Sequence, residues 1–171
     1  MICLITGGAR SGKSFYAQNA ALALSNNPVS VATSNIAEDD EEFAARVQRH
    51  INERDDRWTT YEEPMDLAKL PLAGKVVVID CVTLWLTNFF TFYDRDVELS
   101  LQAMQRAIDH LATIDARIFI VSNEIGMGLH ATTEIGRRFT DLQGWTNQYI
   151  AQKADKVVFM VTGIPLTIKP Q

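Results

Sequence analysis

The sequence predicts an α/β fold: a mostly parallel sheet with helices on both faces, in a single domain. Three observations predict it. Strand-length apolar runs alternate with helical patterns along the 171 residues, the order that right-handed crossovers turn into a parallel sheet. Most of those runs are continuously apolar and rich in Val and Ile, as strands covered on both faces require. The first run, Ile2–Thr6, leads straight into Gly7-Gly8-Ala9-Arg10-Ser11-Gly12-Lys13-Ser14, a full match to G-x-x-x-x-G-K-[ST], and a helical stretch opens at its end.

In chain order, strands are expected at Ile2–Thr6, Val29–Thr33, Val76–Asp80, Arg117–Ser122 and Val157–Thr162. Trp58–Tyr61 adds a short strand and Leu166–Ile168 a last edge strand. Helices are expected at Lys13–Ala23, Glu41–Glu53, Val97–Ala112 and Thr132–Lys153. Together with the phosphate-binding loop at the end of the first strand, these elements describe a P-loop NTPase-type (RecA-like) domain. Trp85, Leu86, Phe89, Phe90 and Phe92 form a dense apolar-aromatic stretch just after Asp80, which reads as core or as a subunit interface. Ligands of such sheets bind beyond the carboxyl ends of the strands. The P-loop, Thr33-Ser34, Asp80 and Ser122-Asn123-Glu124 all fall there.

Composition narrows the function classes. A hydrophobic fraction of 47% and a charged fraction of 22% are those of a globular protein. A net charge of −5 speaks against nucleic acid as partner. The longest apolar stretches, such as Lys75–Ile79 and Arg117–Val121, fall far short of a membrane span. The chain enters its first strand at once, so no signal peptide is expected. Its two cysteines, Cys3 and Cys81, sit in or beside apolar strands and read as reduced core thiols. These features together predict a cytoplasmic location. The most charged stretch, Glu38–Arg57, is mixed in sign and reads as solvated helix and loop.

The chemistry follows from the motifs. Glycines let the loop curl into a cradle whose N–H groups, with the helix N-terminus, point at phosphate oxygens. Lys13 reaches the β- and γ-phosphates, and the Ser14 hydroxyl joins the shell of a Mg²⁺ ion. Val76-Val77-Val78-Ile79-Asp80 has the form of a Walker B strand, whose acid serves the same Mg²⁺. No Asn-Lys-x-Asp guanine-reading motif is present, which disfavours a signalling GTPase and leaves a small-molecule kinase. One cluster is unusual for a simple kinase. Arg46 and His50 share a helix face at i,i+4, with Arg49 adjacent and Arg54 and Arg57 following. Guanidiniums around an imidazole disfavour its protonated form and keep it nucleophilic, and they also suit a triphosphate. The same pattern equally describes a surface helix carrying a solvated histidine. His110, late in a helix, reads as a surface residue, whereas His130, in a loop after Gly126-Met127-Gly128, stands where it could approach a substrate.

Taken in order, the P-loop, Ala32-Thr33-Ser34, Ala44-Ala45-Arg46-Val47-Gln48-Arg49-His50, Trp58-Thr59-Thr60-Tyr61-Glu62, Asp80-Cys81-Val82-Thr83, Asn123-Glu124-Ile125-Gly126-Met127-Gly128 and Val161-Thr162-Gly163-Ile164 resemble one family. It is the bifunctional adenosylcobinamide kinase/adenosylcobinamide-phosphate guanylyltransferase family of cobalamin biosynthesis, and the resemblance runs through essentially the whole chain. It implies two reactions. The first is phosphorylation of adenosylcobinamide by ATP or GTP. The second is transfer of GMP from GTP to adenosylcobinamide phosphate through a guanylyl-histidine. The resemblance maps the nucleophile to His50; some members carry a His-His pair, and Arg49 stands at the first of those positions here. It implies that Gly7, Gly8, Ala9, Arg10, Ser11, Gly12, Lys13, Ser14 and Asp80 bind the nucleotide's phosphates and Mg²⁺, and that Ala32, Thr33, Ser34, Ile51, Asn52, Glu53 and Arg54 contact the nucleotide. Glu62 lies at the guanine or ribose end, and Glu124 orients either the metal or the acceptor hydroxyl. It further implies a homotrimer with the corrinoid between subunits. A P-loop presents the γ-phosphate, whereas guanylyl transfer needs attack at the α-phosphate, so either the segment Glu38–Arg57 moves or GTP binds in a second pose.

Overall fold

Alternate residues of the central strands have to be covered on opposite faces, and two separate cores do this. The structure, a computed structural model, describes residues 1–34 and 55–170. Its elements are β1 (Ile2–Gly7), α1 (Lys13–Leu22), β2 (Val29–Ala32), β3 (Thr59–Glu62), a 3-10 turn (Leu67–Lys69), β4 (Val76–Asp80), α2 (Val82–Phe92), α3 (Val97–Thr113), β5 (Arg117–Asn123), α4 (Glu134–Lys153), β6 (Lys156–Val161) and β7 (Ile164–Lys169). They form a seven-stranded sheet in the order β3-β2-β4-β5-β1-β6-β7. Every neighbouring pair is parallel except β6 and β7.

On one face Leu4, Ile79, Ile118 and Ile120 pack with Trp85 and Leu86 of α2, Met104 and Ile108 of α3, and Leu142 and Ile150 of α4. On the other, Cys3, Ile5, Val78, Phe119 and Val158 meet Ala17 and Ala21 of α1. Small residues on α1 let that helix lie close against the strands at whose end it begins. The expected α/β domain with helices on both faces is the one found.

Boundaries shift by a residue or two, as hydrogen-bonded ends do. The edge strand β7 is longer than Leu166–Ile168, and the short strand β3 begins one residue later than expected. The apolar-aromatic stretch after Asp80 is α2. Its buried residues, Val82, Trp85, Leu86, Phe89 and Phe90, recur at helical spacing. Leu84 and Phe92 fall between and after them, so the run looks uniformly apolar in sequence. Phe92 is left 67% exposed. The expected helix Glu41–Glu53 lies outside the described residues. No helix among the described residues is long and apolar enough to cross a membrane.

Cys3 and Cys81 are both free thiols. Burial raises the Cys3 thiol above its usual range, opposed by Lys156. Burial first, and the neighbouring Asp80 carboxylate second, push the Cys81 thiol up to about 12. The thiolate is the reactive form. Native protein at pH 8 is therefore expected to react with an aromatic disulfide reagent far more slowly than free cysteine, and unfolded protein should release two equivalents at once. A native thiol reacting at the free-cysteine rate at pH 8 would contradict this placement.

Candidate functional site

The loop after β1 has a shape that its glycines make possible. A Cβ on Gly7 would lie 2.5 Å from the Met160 carbonyl oxygen and 2.8 Å from Ser11 Oγ. Gly12, the N-cap of α1, has φ +92°, and a Cβ there would meet Gly163 Cα at 3.3 Å. The loop is held from three sides. The Glu124 amide at the end of β5 donates to Gly7 O at 3.0 Å, and the Gly163 amide donates to Ser11 O at 3.0 Å. The Tyr16 amide of α1 donates to Gly12 O at 3.0 Å. Gly163 sits in the β6–β7 turn, where Thr162 and Gly163 have φ +51° and +83°. Positive φ at both central residues is the hairpin geometry that matches strand twist.

Lys13 is only 7% exposed. Its Nζ donates to Gly8 O at 2.6 Å and stands 3.5 Å from Ser11 Oγ. Burial lowers its pKa, and the Cys81 and Asp80 side chains oppose that shift. Asp80, at the end of β4, is thus close enough to be felt by the loop's ammonium group. Thr33, fully buried at the end of β2, fixes the residue after Asp80. Its Oγ1 accepts from the Cys81 amide at 3.1 Å and donates to the Cys81 carbonyl at 2.8 Å. Asn88 of α2 donates to Thr33 O and to Pro64 O, both at 2.8 Å, and so ties the ends of β2 and β3 to that helix.

On the far side of Asp80, Asn123 at the end of β5 donates to Thr83 Oγ1 at 3.0 Å. Asn147 of α4 in turn donates to Asn123 O at 3.0 Å. Beneath, Ser122 Oγ donates to Asn147 Oδ1 at 2.5 Å, and Gln143 Nε2 donates to both. A buried polar network that is largely satisfied rigidifies what it touches. Here it fixes the strand end next to the loop, because Gly7 pairs with Asn123 across β1 and β5.

Of the residues singled out in the sequence, Gly7–Ser14, Asp80 and Ala32-Thr33-Ser34 come together at the carboxyl edge of the sheet. Glu62 pairs with Ala32, which pairs with Asp80. It therefore lies two strand spacings from Asp80, about 10 Å. From β1 it is four spacings away, about 19 Å, comparable with an extended nucleoside triphosphate. His50, Ile51, Asn52, Glu53 and Arg54 lie outside the described residues. His110 is exposed in the last turn of α3, and His130 is exposed in the β5–α4 loop. The Glu124 carboxylate accepts from the Gly126 amide at 3.1 Å, so it turns onto its own loop. The Gly163 clamp, Asn88 and the Asn123–Thr83 bridge escaped sequence reasoning. The polar pair Gln143 and Asn147, spaced i,i+4 on a core-facing helix, was the one available signal for the network.

Oxygen donors fit a hard cation. Among the described residues no three acids, histidines or cysteines gather into a metal cage. Mg²⁺ takes one or two protein oxygens and completes its shell with phosphates and water. Ser14 in the first turn of α1 and Asp80 at the end of β4 are the residues that would supply such oxygens.

Known proteins resemble the chain over its length. The profile of the family described as cobinamide kinase / cobinamide phosphate guanyltransferase matches residues 3–168. The bifunctional adenosylcobalamin biosynthesis protein CobP of Pseudomonas aeruginosa is 39% identical, covering 97% of this chain and 96% of its own. The bifunctional adenosylcobalamin biosynthesis protein CobU of Escherichia coli is 37% identical, covering 99% of this chain and 100% of its own.

Two glycines separate loop shape from simple glycine content. Gly7→Ala is expected to cost about 1–3 kcal/mol of stability through overpacking. Gly8→Ala, whose Cβ would meet nothing within 4 Å, should stay within about 0.5 kcal/mol. Urea denaturation of both variants checks this, and equal losses would contradict the fit of Gly7 against Met160. Thr33→Val leaves the Cys81 amide without its acceptor, while the Cys81 carbonyl keeps the Trp85 amide at 3.1 Å, and the same titration should show a loss of about 1–3 kcal/mol.

Proposed function

The chain belongs to the cobinamide kinase/cobinamide phosphate guanyltransferase family, and from that premise we propose that its two reactions use one sheet edge in two nucleotide poses. The protein is a bifunctional cobinamide kinase and cobinamide phosphate guanylyltransferase of adenosylcobalamin biosynthesis. The observation that carries the proposal is the braced loop Gly7–Ser14 on the same carboxyl edge as the row Asp80–Ala32–Glu62.

In the first pose the β- and γ-phosphates of ATP or GTP lie in the cradle. Lys13 exchanges Gly8 O for a phosphate oxygen. The hydroxyl of the adenosylcobinamide arm attacks the γ-phosphorus and gives up its proton to solvent, the bond to the β-phosphate oxygen breaks, and the nucleoside diphosphate leaves. Ser14 and Asp80 would hold Mg²⁺, which when bound would neutralise charge on the transferring phosphoryl group.

In the second pose the guanine reaches toward Glu62, whose carboxylate accepts from guanine N1 and N2, and Ala32, Thr33 and Ser34 lie beneath the nucleotide. Ile51, Asn52, Glu53 and Arg54 complete its surroundings. A ring nitrogen of His50 attacks the α-phosphorus, and pyrophosphate leaves. The phosphate oxygen of adenosylcobinamide phosphate then attacks the guanylyl-histidine, the P–N bond breaks, and adenosylcobinamide-GDP is released with His50 restored. The row Glu62–Ala32–Asp80 supports this pose because it runs from the guanine-reading acid toward the P-loop.

The protein works as a homotrimer in the cytoplasm. Ile164, Leu166 and Ile168 on the edge strand β7 are 67%, 58% and 59% exposed, an apolar row suited to a second copy. Light scattering on the purified protein should give three times the chain mass.

GTP labelled at the α- or the γ-phosphate separates the two chemistries. Wild type should take up α-label only, stable in alkali and lost in acid as a phosphoramidate is, and His50→Asn should take up none. Label from neither position, in protein that still binds GTP, would remove the guanylyl-histidine. Chelating Mg²⁺ should abolish kinase turnover, and turnover persisting in excess chelator would overturn the metal assignment.

A further inference from the structure

The β5–α4 loop builds a second cleft that neither the phosphate cradle nor the nucleotide poses use. Its volume is about 130 Å³, and Ile125, Leu129, His130, Arg137, Thr140 and Asp141 are among the residues that line it. Its floor and its charges come from different elements. Ile125 and Leu129 belong to the loop, whereas Arg137, Thr140 and Asp141 lie on successive turns of α4. Arg137 Nη1 donates to Ala131 O at 3.2 Å and to Thr132 O at 3.1 Å, which stations the guanidinium at the rim with its other N–H donors outside these bonds. Gly136 lets the loop lie on the first turn of α4: a Cβ there would come within 2.9 Å of Ala131 Cβ and Thr133 Oγ1.

The cleft stands beside the P-loop. Glu124, one residue before its first lining residue, donates its amide to Gly7 O at 3.0 Å. The same loop exposes apolar surface at the cleft's edge and beyond it: Leu129, on the lining, is 100% exposed, and Met127, outside it, 74%. An apolar shelf bordering a small polar pocket with a guanidinium and an imidazole has a definite complement. It is a large, flat, apolar-cored molecule with a short arm ending in an anion. The volume excludes a whole macrocycle, since pockets that enclose even drug-sized ligands run to several hundred Å³.

We propose that this cleft is the acceptor-arm site: His130 and Arg137 bind the phosphate of cobinamide phosphate, while Met127 and Leu129 lie against the corrinoid. The inference rests on the cobinamide reading of function. Asp141, the opposing charge at the rim, accepts from the corrinoid's peripheral amide N–H groups. Arg137 is suited to the phosphate because its planar fork presents paired donors to phosphate oxygens. The site is adjacent to the cradle, so the arm's hydroxyl reaches the γ-phosphate before it carries a phosphate of its own, and the new phosphate is retained at Arg137 for the second reaction.

Equilibrium dialysis followed by corrinoid absorbance tests this, with cobinamide and cobinamide phosphate as separate probes and wild type, Arg137→Met and His130→Gln as proteins. Loss of a charge-assisted hydrogen bond predicts that Arg137→Met weakens cobinamide phosphate about tenfold to a hundredfold. Cobinamide itself should weaken by much less, and His130→Gln should show the same selectivity at smaller size. Equal weakening of both probes would mean that Arg137 only braces the loop, and unchanged affinities would remove the cleft from the acceptor site; either result overturns the proposal. Wild type that binds neither probe would overturn the cobinamide reading itself, and the proposal with it.

Discussion

The bond from the Gly163 amide to Ser11 O is the constraint on which the site depends. A phosphate cradle must hold its amides outward without phosphate to organise them, and a glycine-containing loop has more conformational entropy to lose than any other. The cost is met by ties from outside the loop. The β6–β7 turn closes over Ser11 and Gly12, and the end of β5 takes the carbonyl of Gly7. Met160 leaves no room at Gly7 for a side chain. The antiparallel hairpin at the edge of an otherwise parallel sheet is therefore part of what holds the Gly7–Ser14 loop in shape.

Electrostatics and topology divide the edge into zones. Lys13, buried and bonded to Gly8 O, marks the loop end of the edge. Thr33 and Asn88 stiffen the ends of β2 and β4 by holding backbone groups, so Asp80 presents its carboxylate from a fixed support. The strand order carries the edge on from β4 through β2 to Glu62 on β3. In the opposite direction β5 delivers the loop of His130 and the helix of Arg137. From β4 the edge thus runs one way to Glu62 and the other way to the β5–α4 loop.

Most of the fold was legible because parallel, doubly covered strands are written as uninterrupted apolar runs, and Val76–Ile79 and Ile118–Val121 could hardly be anything else. The P-loop was legible because its chemistry needs fixed residues at fixed spacing. Helix α2 was not, because it is apolar on more than its buried face and Cys81 gives it no side-chain cap. The loop clamp was hidden for another reason. Ser11 and Gly163 are distant in sequence, and a backbone amide leaves no trace in residue type. Thr33 was picked out as a nucleotide contact; its hydroxyl also bonds the Cys81 backbone, a tie that sequence position could not reveal. His50, Arg46, Arg49 and Arg54 lie outside the described residues, so their part rests on motif and family alone, whereas Arg57 is described and pairs with Asp55 at 2.6 Å.

A crystal structure with Mg²⁺ and a non-hydrolysable ATP analogue tests the central claim, that Gly7–Ser14 is a built polyphosphate site served by Asp80. The expected result is β- and γ-phosphates against the amides of Gly8–Ser14, with Lys13 Nζ moved from Gly8 O to a phosphate oxygen. Asp80 should face the metal, and the Gly163–Ser11 bond should be unchanged. Phosphates bound elsewhere, with Lys13 still on Gly8 O, would contradict it.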